Sequence, residues 1–204
     1  MSYKIKEIFL TLQGEGHHTG RRAVFVRFTG CNLWTGREKD RAKAVCQFCD
    51  TDFVGGTRYS LDALVEAMEE AWGPFPSGRF VVFTGGEPLL QLDSPLLAAV
   101  RARGFEVAVE TNGTQPSPDP DLWLTVSPKA RADLVQRTGS ELKLVYPQDG
   151  MDPADYSGLP FRYHYLQPMD GPDLAANTAA AIEYCLAHPE WKLSLQTHKM
   201  VGIR

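Results

Sequence analysis

Runs rich in branched and aromatic residues recur along the chain with the length expected of β-strands. They cover Lys4 to Leu10, Ala23 to Thr29, Phe80 to Thr84, Glu106 to Glu110, Leu122 to Ser127, Glu141 to Val145, Tyr163 to Gln167 and Lys192 to Gln196. Between them the spacing changes. Leu61, Leu64, Val65, Met68 and Trp72 fall on one face of a helix, behind Ser60, whose hydroxyl suits an N-cap. Ser94 to Arg103 and Asp173 to Ala187 repeat that helical pattern. Eight strands interleaved with three strong helices predict parallel strands joined by right-handed crossovers, hence an α/β sheet or an incomplete barrel. In such folds ligands gather at the C-terminal ends of the strands.

Residues 30–59 show no clear period, and a compact domain rarely keeps so long an irregular stretch without a functional reason. There is no internal repeat or low-complexity tract, and Gln115 to Asp121, with three prolines, reads as a loop within the domain. A chain of 204 residues fits one domain spanning 1–204. Composition changes this picture little: 43% hydrophobic and 23% charged residues are ordinary for a globular protein. A net charge of −4, with Lys and Arg scattered, gives no broad attraction to nucleic acid and points to a small-molecule partner. The first residues lack the apolar run of a signal peptide, and no stretch approaches the roughly 20 apolar residues that span a bilayer. The expectation is a cytoplasmic protein with reduced thiols and no membrane partner.

Three of the four cysteines lie in the irregular stretch. Fourteen residues separate Cys31 from Cys46, and two separate Cys46 from Cys49, so a short turn can aim the last two thiolates at one centre. A 4Fe-4S cluster normally takes four thiolates, and three leave one iron open to a ligand. The same spacing also suits a structural zinc site completed by His17, His18 or Cys185. The cysteines alone leave both readings open. Cys185, among Ala181, Ile182 and Leu186, reads as a small buried hydrophobe. The strand Phe80 to Thr84 runs into Gly85-Gly86-Glu87-Pro88, where two glycines let a ligand approach the backbone and Glu87 offers a carboxylate to an ammonium group.

Together the cysteine cluster, Phe48 before the last cysteine, and the Gly-Gly-Glu-Pro strand end resemble the radical S-adenosylmethionine superfamily, over nearly the whole chain. The superfamily's commonest spacing has three residues between the first two cysteines, where this chain has fourteen. That longer loop, with Gln13-Gly14-Glu15-Gly16, Thr29-Gly30-Cys31-Asn32-Leu33 and Gln196-Thr197-His198-Lys199, is similar to the 7-carboxy-7-deazaguanine synthase family. The resemblance implies a partial barrel of about six parallel strands and three helices. It implies a 4Fe-4S cluster on Cys31, Cys46 and Cys49, S-adenosylmethionine on the open iron, and Mg²⁺ held by Thr51.

The residue roles that follow are those of the family, carried over by motif. Phe48 would lie against adenine, with Asp50 among the cofactor contacts, and Gly86 with Glu87 would hold the methionine ammonium. Ser127, Pro128 and Lys129 would hold ribose and carboxylate, and Gln167, Pro168, Met169 and Asp170 the nucleoside side. The substrate, 6-carboxy-5,6,7,8-tetrahydropterin, would meet Leu12, Gln13, Gly14, Glu15, Arg27 and Thr84. Arg27 suits a bidentate pair with its carboxylate, while Gln13 and Glu15 suit ring N–H and C=O groups. The tail would fold over the site, with His198 near the pterin and the carboxylate of Arg204 contacting it. The implied reaction is a ring contraction to 7-carboxy-7-deazaguanine with loss of ammonia. It is started by a 5'-deoxyadenosyl radical that takes hydrogen from C6 and later recovers it. An external electron donor such as flavodoxin and a homodimeric state belong to the same expectation. The rival readings are another radical enzyme, such as a glycyl-radical activase, and a zinc-stabilised binding protein without catalysis.

Overall fold

All eight predicted strands form, and a ninth joins them, in a computed structural model that describes residues 2–204. In chain order the elements are β1 (Ser2–Leu12), β2 (Arg22–Phe28), β3 (Thr57–Ser60), α1 (Leu61–Trp72), β4 (Phe80–Gly85), α2 (Ser94–Ala102), β5 (Glu106–Thr111), β6 (Trp123–Val126), β7 (Gly139–Tyr146), β8 (Phe161–Pro168), α3 (Leu174–Ala187), β9 (Trp191–Leu193) and α4 (Thr197–Val201). They make one sheet of order β3-β1-β2-β4-β5-β6-β7-β8-β9. From β2 to β9 every neighbouring pair is parallel, while β1 runs antiparallel to both β2 and β3. The α/β class is therefore as expected. The sheet is wider than the six strands of the resemblance, with seven consecutive parallel strands and two antiparallel ones at one edge. It remains open, which is compatible with an incomplete barrel.

Two clusters show how the sheet divides its faces. Val81, Phe83, Val107, Val109, Leu124, Val126, Leu142 and Leu144 pack with Leu64 and Met68 of α1 and with Leu96, Leu97 and Val100 of α2. The residues between them in sequence point the other way, as the two-residue period of a strand requires. Ala23, Phe80, Val82 and Ala108 form a second, smaller cluster with Phe25 and Trp123. One step further along the same strand face come Arg27, Thr84, Glu110 and Thr125, so the helix-free face turns from apolar to polar toward the strand C-termini. The turn after β1 folds into this face and reaches the far edge of the sheet. Gly16 N donates to Ser194 Oγ at 3.0 Å, and His17 N to Glu141 Oε2 at 3.0 Å. That edge-to-edge reach shows the sheet curling on itself.

α1 begins where predicted: the Ser60 hydroxyl accepts from Ala63 N at 3.2 Å. Among the described residues no helix is long and apolar enough to cross a membrane. Met68 is fully buried between α1 and the sheet. Met68→Ala should therefore lower the unfolding free energy by about 2–5 kcal/mol, measured by denaturant titration. An unchanged midpoint would contradict this packing.

Candidate active site

At the C-terminal ends of the parallel strands lie two adjoining cavities, of about 190 Å³ and about 480 Å³. Glu15, Asp50, Thr51, Thr84, Glu110 and Gln196 line both, so they are two lobes of one site.

The first lobe receives Cys31, Cys46 and Cys49, and all four cysteines of the chain are free thiols. Cys31 follows the end of β2, where the chain is held against the glycine turn after β4. Gly86 N donates to Phe28 O at 3.2 Å, and Glu87 N to Gly30 O at 2.9 Å. A Cβ on Gly86 would lie 2.0 Å from Gly30 O and 3.0 Å from Cys31 Cβ, so only glycine lets these two backbones meet. The loop bearing the other two cysteines is pinned by Val45 N to Leu33 O at 3.0 Å. The Arg41 guanidinium donates to Gln47 O and Cys49 O at 2.9 and 3.0 Å while resting on the Trp34 ring.

A hydrogen bond between the Cys46 and Cys49 thiols holds Cys46 well above the usual thiol range and Cys49 down at about 6, although burial raises both. Two N–H groups point at the third sulfur: Leu33 N lies 3.4 Å and Asn112 Nδ2 3.9 Å from Cys31 Sγ. Three soft donors around one cavity, with N–H groups aimed at sulfur, fit an iron-sulfur cluster. His17 and His18 lie elsewhere, packed against Trp123, and Cys185 sits on α3 against the main core. None of the proposed fourth zinc ligands lines the cavity of the three cysteines. Among the described residues, no three His, Cys, Asp or Glu side chains are grouped to hold a single ion.

Phe48, Asp50, Thr51, Gly86, Ser127, Lys129, Gln167, Pro168 and Asp170 also line this first lobe. Lys129 Nζ donates to Ser127 O and Oγ at 2.6 Å each and stands 6.0 Å from the Phe48 ring centre; burial lowers its ammonium below the usual lysine range. Three residues expected to touch the cofactor do not line the cavity: Glu87, Pro128 and Met169. Pro128 is buried and its carbonyl accepts from Gln148 Nε2. Met169 is tied by its main chain to Tyr146 O and Asn177 Nδ2.

Glu87 turns its side chain away from the cavity. Its carboxylate is fully buried and accepts from Thr111 Oγ1 at 2.7 Å, Asn112 N at 2.8 Å and Leu89 N at 3.0 Å. Burial nonetheless pushes its acid above the usual range. A group so engaged positions the turn, leaving the main chain of Gly85 and Gly86 to face a ligand.

The second lobe collects every residue expected to meet the substrate: Leu12, Gln13, Gly14, Glu15, Arg27, Thr84, His198 and Arg204. The tail is drawn across it. Thr197 N donates to Gly14 O at 3.0 Å, and a Cβ on Gly14 would lie 2.1 Å from His198 Nδ1. Arg204 pairs with Glu7, and its main-chain oxygen accepts from Thr11 Oγ1 at 2.6 Å. Lys199 bridges Asp50 and Asp170 at 2.5 Å each, joining the tail to the cysteine loop and to the loop after β8. Glu7 accepts from Arg27 Nε at 2.8 Å, which leaves the terminal nitrogens of the guanidinium for a carboxylate.

Sequence reasoning missed Glu110, Lys143, Gln196, Asn112, Glu7 and Lys199. For Glu110 and Lys143 a signal existed, namely a charge at an inward position of a strand whose neighbouring residues are apolar.

The model of the Radical SAM superfamily matches residues 40–188, a span that holds Cys46 and Cys49 and begins after Cys31. The protein of Bordetella pertussis called 7-carboxy-7-deazaguanine synthase is 58% identical over 209 residues, covering 100% of both chains. The protein of that name from Bradyrhizobium diazoefficiens is 59% identical over 210 residues, again covering 100% of both. The chain belongs to the 7-carboxy-7-deazaguanine synthase family. A crystal structure of QueE from Escherichia coli superposes with a TM-score of 0.73 at 28% identity, covering 96% of this chain and 94% of that one. Membership in this family implies a 4Fe-4S cluster and S-adenosylmethionine, and the first lobe has the donors for the former.

Cys46→Ala should abolish iron and sulfide incorporation on anaerobic reconstitution, and Gly86→Ala should reduce it by displacing Cys31. Cys185→Ala should load as the unaltered chain does. Full loading of Cys46→Ala would show that the ligands are misassigned.

Proposed function

We propose that the chain converts 6-carboxy-5,6,7,8-tetrahydropterin into 7-carboxy-7-deazaguanine with release of ammonia, as a radical lyase. The observation that carries this reading is the two-lobed cavity. Three cysteines and the half-buried backbone of Gly85 and Gly86 line one lobe, Arg27 and the Gln13 amide line the other, and Thr51, Thr84 and Glu110 stand at the junction. When bound, the cluster and S-adenosylmethionine supply the one-electron chemistry that generates a hydrogen-abstracting radical.

The protein's residues do the rest. Cys31, Cys46 and Cys49 hold the cluster, and Gly85 and Gly86 present main-chain groups to the cofactor ammonium. Phe48 offers an aromatic face to its adenine. Ser127 with Lys129 lines the lobe where its ribose and carboxylate would sit, and Gln167 with Asp170 lines it on the nucleoside side. Arg27 grips the pterin carboxylate with two parallel N–H bonds, which fixes one end of the ring and so directs C6 toward the first lobe. Gln13, Glu15 and the main chain of Leu12 and Gly14 address the ring's polar edge, and His198 and Arg204 close the lobe and exclude water.

Thr51 holds Mg²⁺ in this reading. Its place in the lining of both lobes supports the assignment, because a hydroxyl there would offer the ion a hard oxygen donor. The reading also requires an external one-electron donor, and it places the protein in the cytoplasm as a homodimer; four free thiols accord with a reducing compartment.

Reduced, reconstituted protein incubated anaerobically with S-adenosylmethionine, Mg²⁺ and the carboxytetrahydropterin should yield carboxydeazaguanine by mass spectrometry. Arg27→Ala should raise KM for the pterin by roughly 10- to 100-fold, the range for a charge-assisted bond of about 1.5–3 kcal/mol. Cofactor cleavage without carboxydeazaguanine would reject the reading.

A further inference from the structure

At the junction of the two lobes four side chains close a ring. Lys143, from the middle of β7, forms an ion pair with Glu15 and stands 3.8 Å from Glu110 Oε2. Gln13 Nε2 donates to Glu110 Oε1 at 2.8 Å, and Gln13 Oε1 accepts from Glu15 N at 3.1 Å. Gln196 Nε2 adds a bond to Glu15 Oε1 at 2.9 Å. Glu15 and Glu110 line both lobes, and Lys143, whose side chain is only 5% exposed, lines the first alone. A buried lysine between two carboxylates at a cavity wall is costly unless the arrangement is kept for a purpose.

We propose that Lys143 is the positioning residue of the substrate lobe, fixing the Glu15 and Glu110 carboxylates side by side so that their remaining lone pairs face the N–H edge of a bound heterocycle. The inference rests on the proposed function for its substrate and goes beyond it in naming the group that orders the recognition edge. Two adjacent carboxylates suit a ligand edge carrying several N–H donors, and they can both stay ionised there only with a cation between them. The charged groups facing this point are Glu15 from the turn after β1, Glu110 from β5, Glu141 from β7 itself and Lys129 from the loop after β6; His198 of the tail acts on Glu15. Burial alone would raise Glu15, yet Lys143, Gln196 and His198 hold it down at about 2. Burial alone would lower the Lys143 ammonium, and Glu110 and Glu15 outweigh it.

The sign of the pH effect follows. In the unaltered protein Glu15 is ionised throughout pH 5.5–8.5, the working range of the assay, so it contributes no acid limb there. In Lys143→Met the attraction and the hydrogen bond of Lys143 are lost while burial, Gln196 and His198 remain, so the Glu15 acid moves up toward the acid end of that range.

The test measures KM for the carboxytetrahydropterin across that pH range with the reconstituted holoenzyme, taking the ratio of variant to unaltered protein so that titration of the substrate cancels. For K143M the ratio should grow as pH falls, by up to roughly tenfold per pH unit below the new pKa, the slope of a single proton. K143R, which keeps the charge, should hold a constant ratio. If K143M fails to load its cluster or to fold, K143Q carries the same expectation. A ratio that stays constant with pH in the uncharged variant means that Lys143 only packs, and overturns the proposal while the function stands. No turnover by the unaltered holoenzyme overturns the proposed function and this assignment with it.

Discussion

The buried carboxylate of Glu87 joins three segments that are distant in sequence. Its oxygens accept from the turn after β4 at Leu89 and from the end of β5 at Thr111 and Asn112, while its own N–H donates to Gly30 beside the first cysteine. Asn112 then bonds to Asn32 and faces Cys31 Sγ. A carboxylate in such surroundings is tolerable only when its lone pairs are satisfied, and each donor here belongs to a segment that shapes the first lobe. The position of Cys31 relative to the glycine turn therefore depends on a side chain that does not line the cavity.

The second constraint comes from the sheet. Helices cover one face, and the other curls inward with apolar residues near the strand starts and polar ones near the strand ends. Charged groups on that inner face are largely withdrawn from solvent, and pairing offsets their desolvation. Glu15, Lys143 and Glu110 pair in this way, and Trp123 Nε1 donates to Glu141 at 2.7 Å on the same strand face. The tail adds its own pairs at the rim, where Lys199 holds Asp50 and Asp170 together; the two carboxylates outweigh burial and keep its ammonium above the usual range.

Much of this was legible in the chain because the signals were local. Phe80 to Thr84 is a run buried on both faces, and Cys46 and Cys49 announce themselves by spacing. β3 was not legible: its four residues sit at the sheet edge, mostly exposed, with no alternation to read. β9 ends at Leu193, before the predicted Gln196, and the chain turns there into the short α4, whose exposed residues carry no periodic pattern. The ionic ring escaped for a different reason. Glu110 and Lys143 belong to strands recognised by their apolar neighbours, and their partnership depends on β5 and β7 flanking β6 in a curled sheet, which residue spacing alone does not encode. For Glu87, sequence could not tell a carboxylate facing a ligand from one turned into the protein, as it is here.

Three cysteines would leave one iron of a 4Fe-4S cluster free for the cofactor. Electron paramagnetic resonance of the reduced, reconstituted protein, recorded before and after adding S-adenosylmethionine, tests it most directly. A 4Fe-4S signal should appear whose g-values shift on addition, because the sulfonium compound binds at the open iron. A spectrum unmoved by saturating S-adenosylmethionine would mean that all four irons are already held by the protein, and would contradict it.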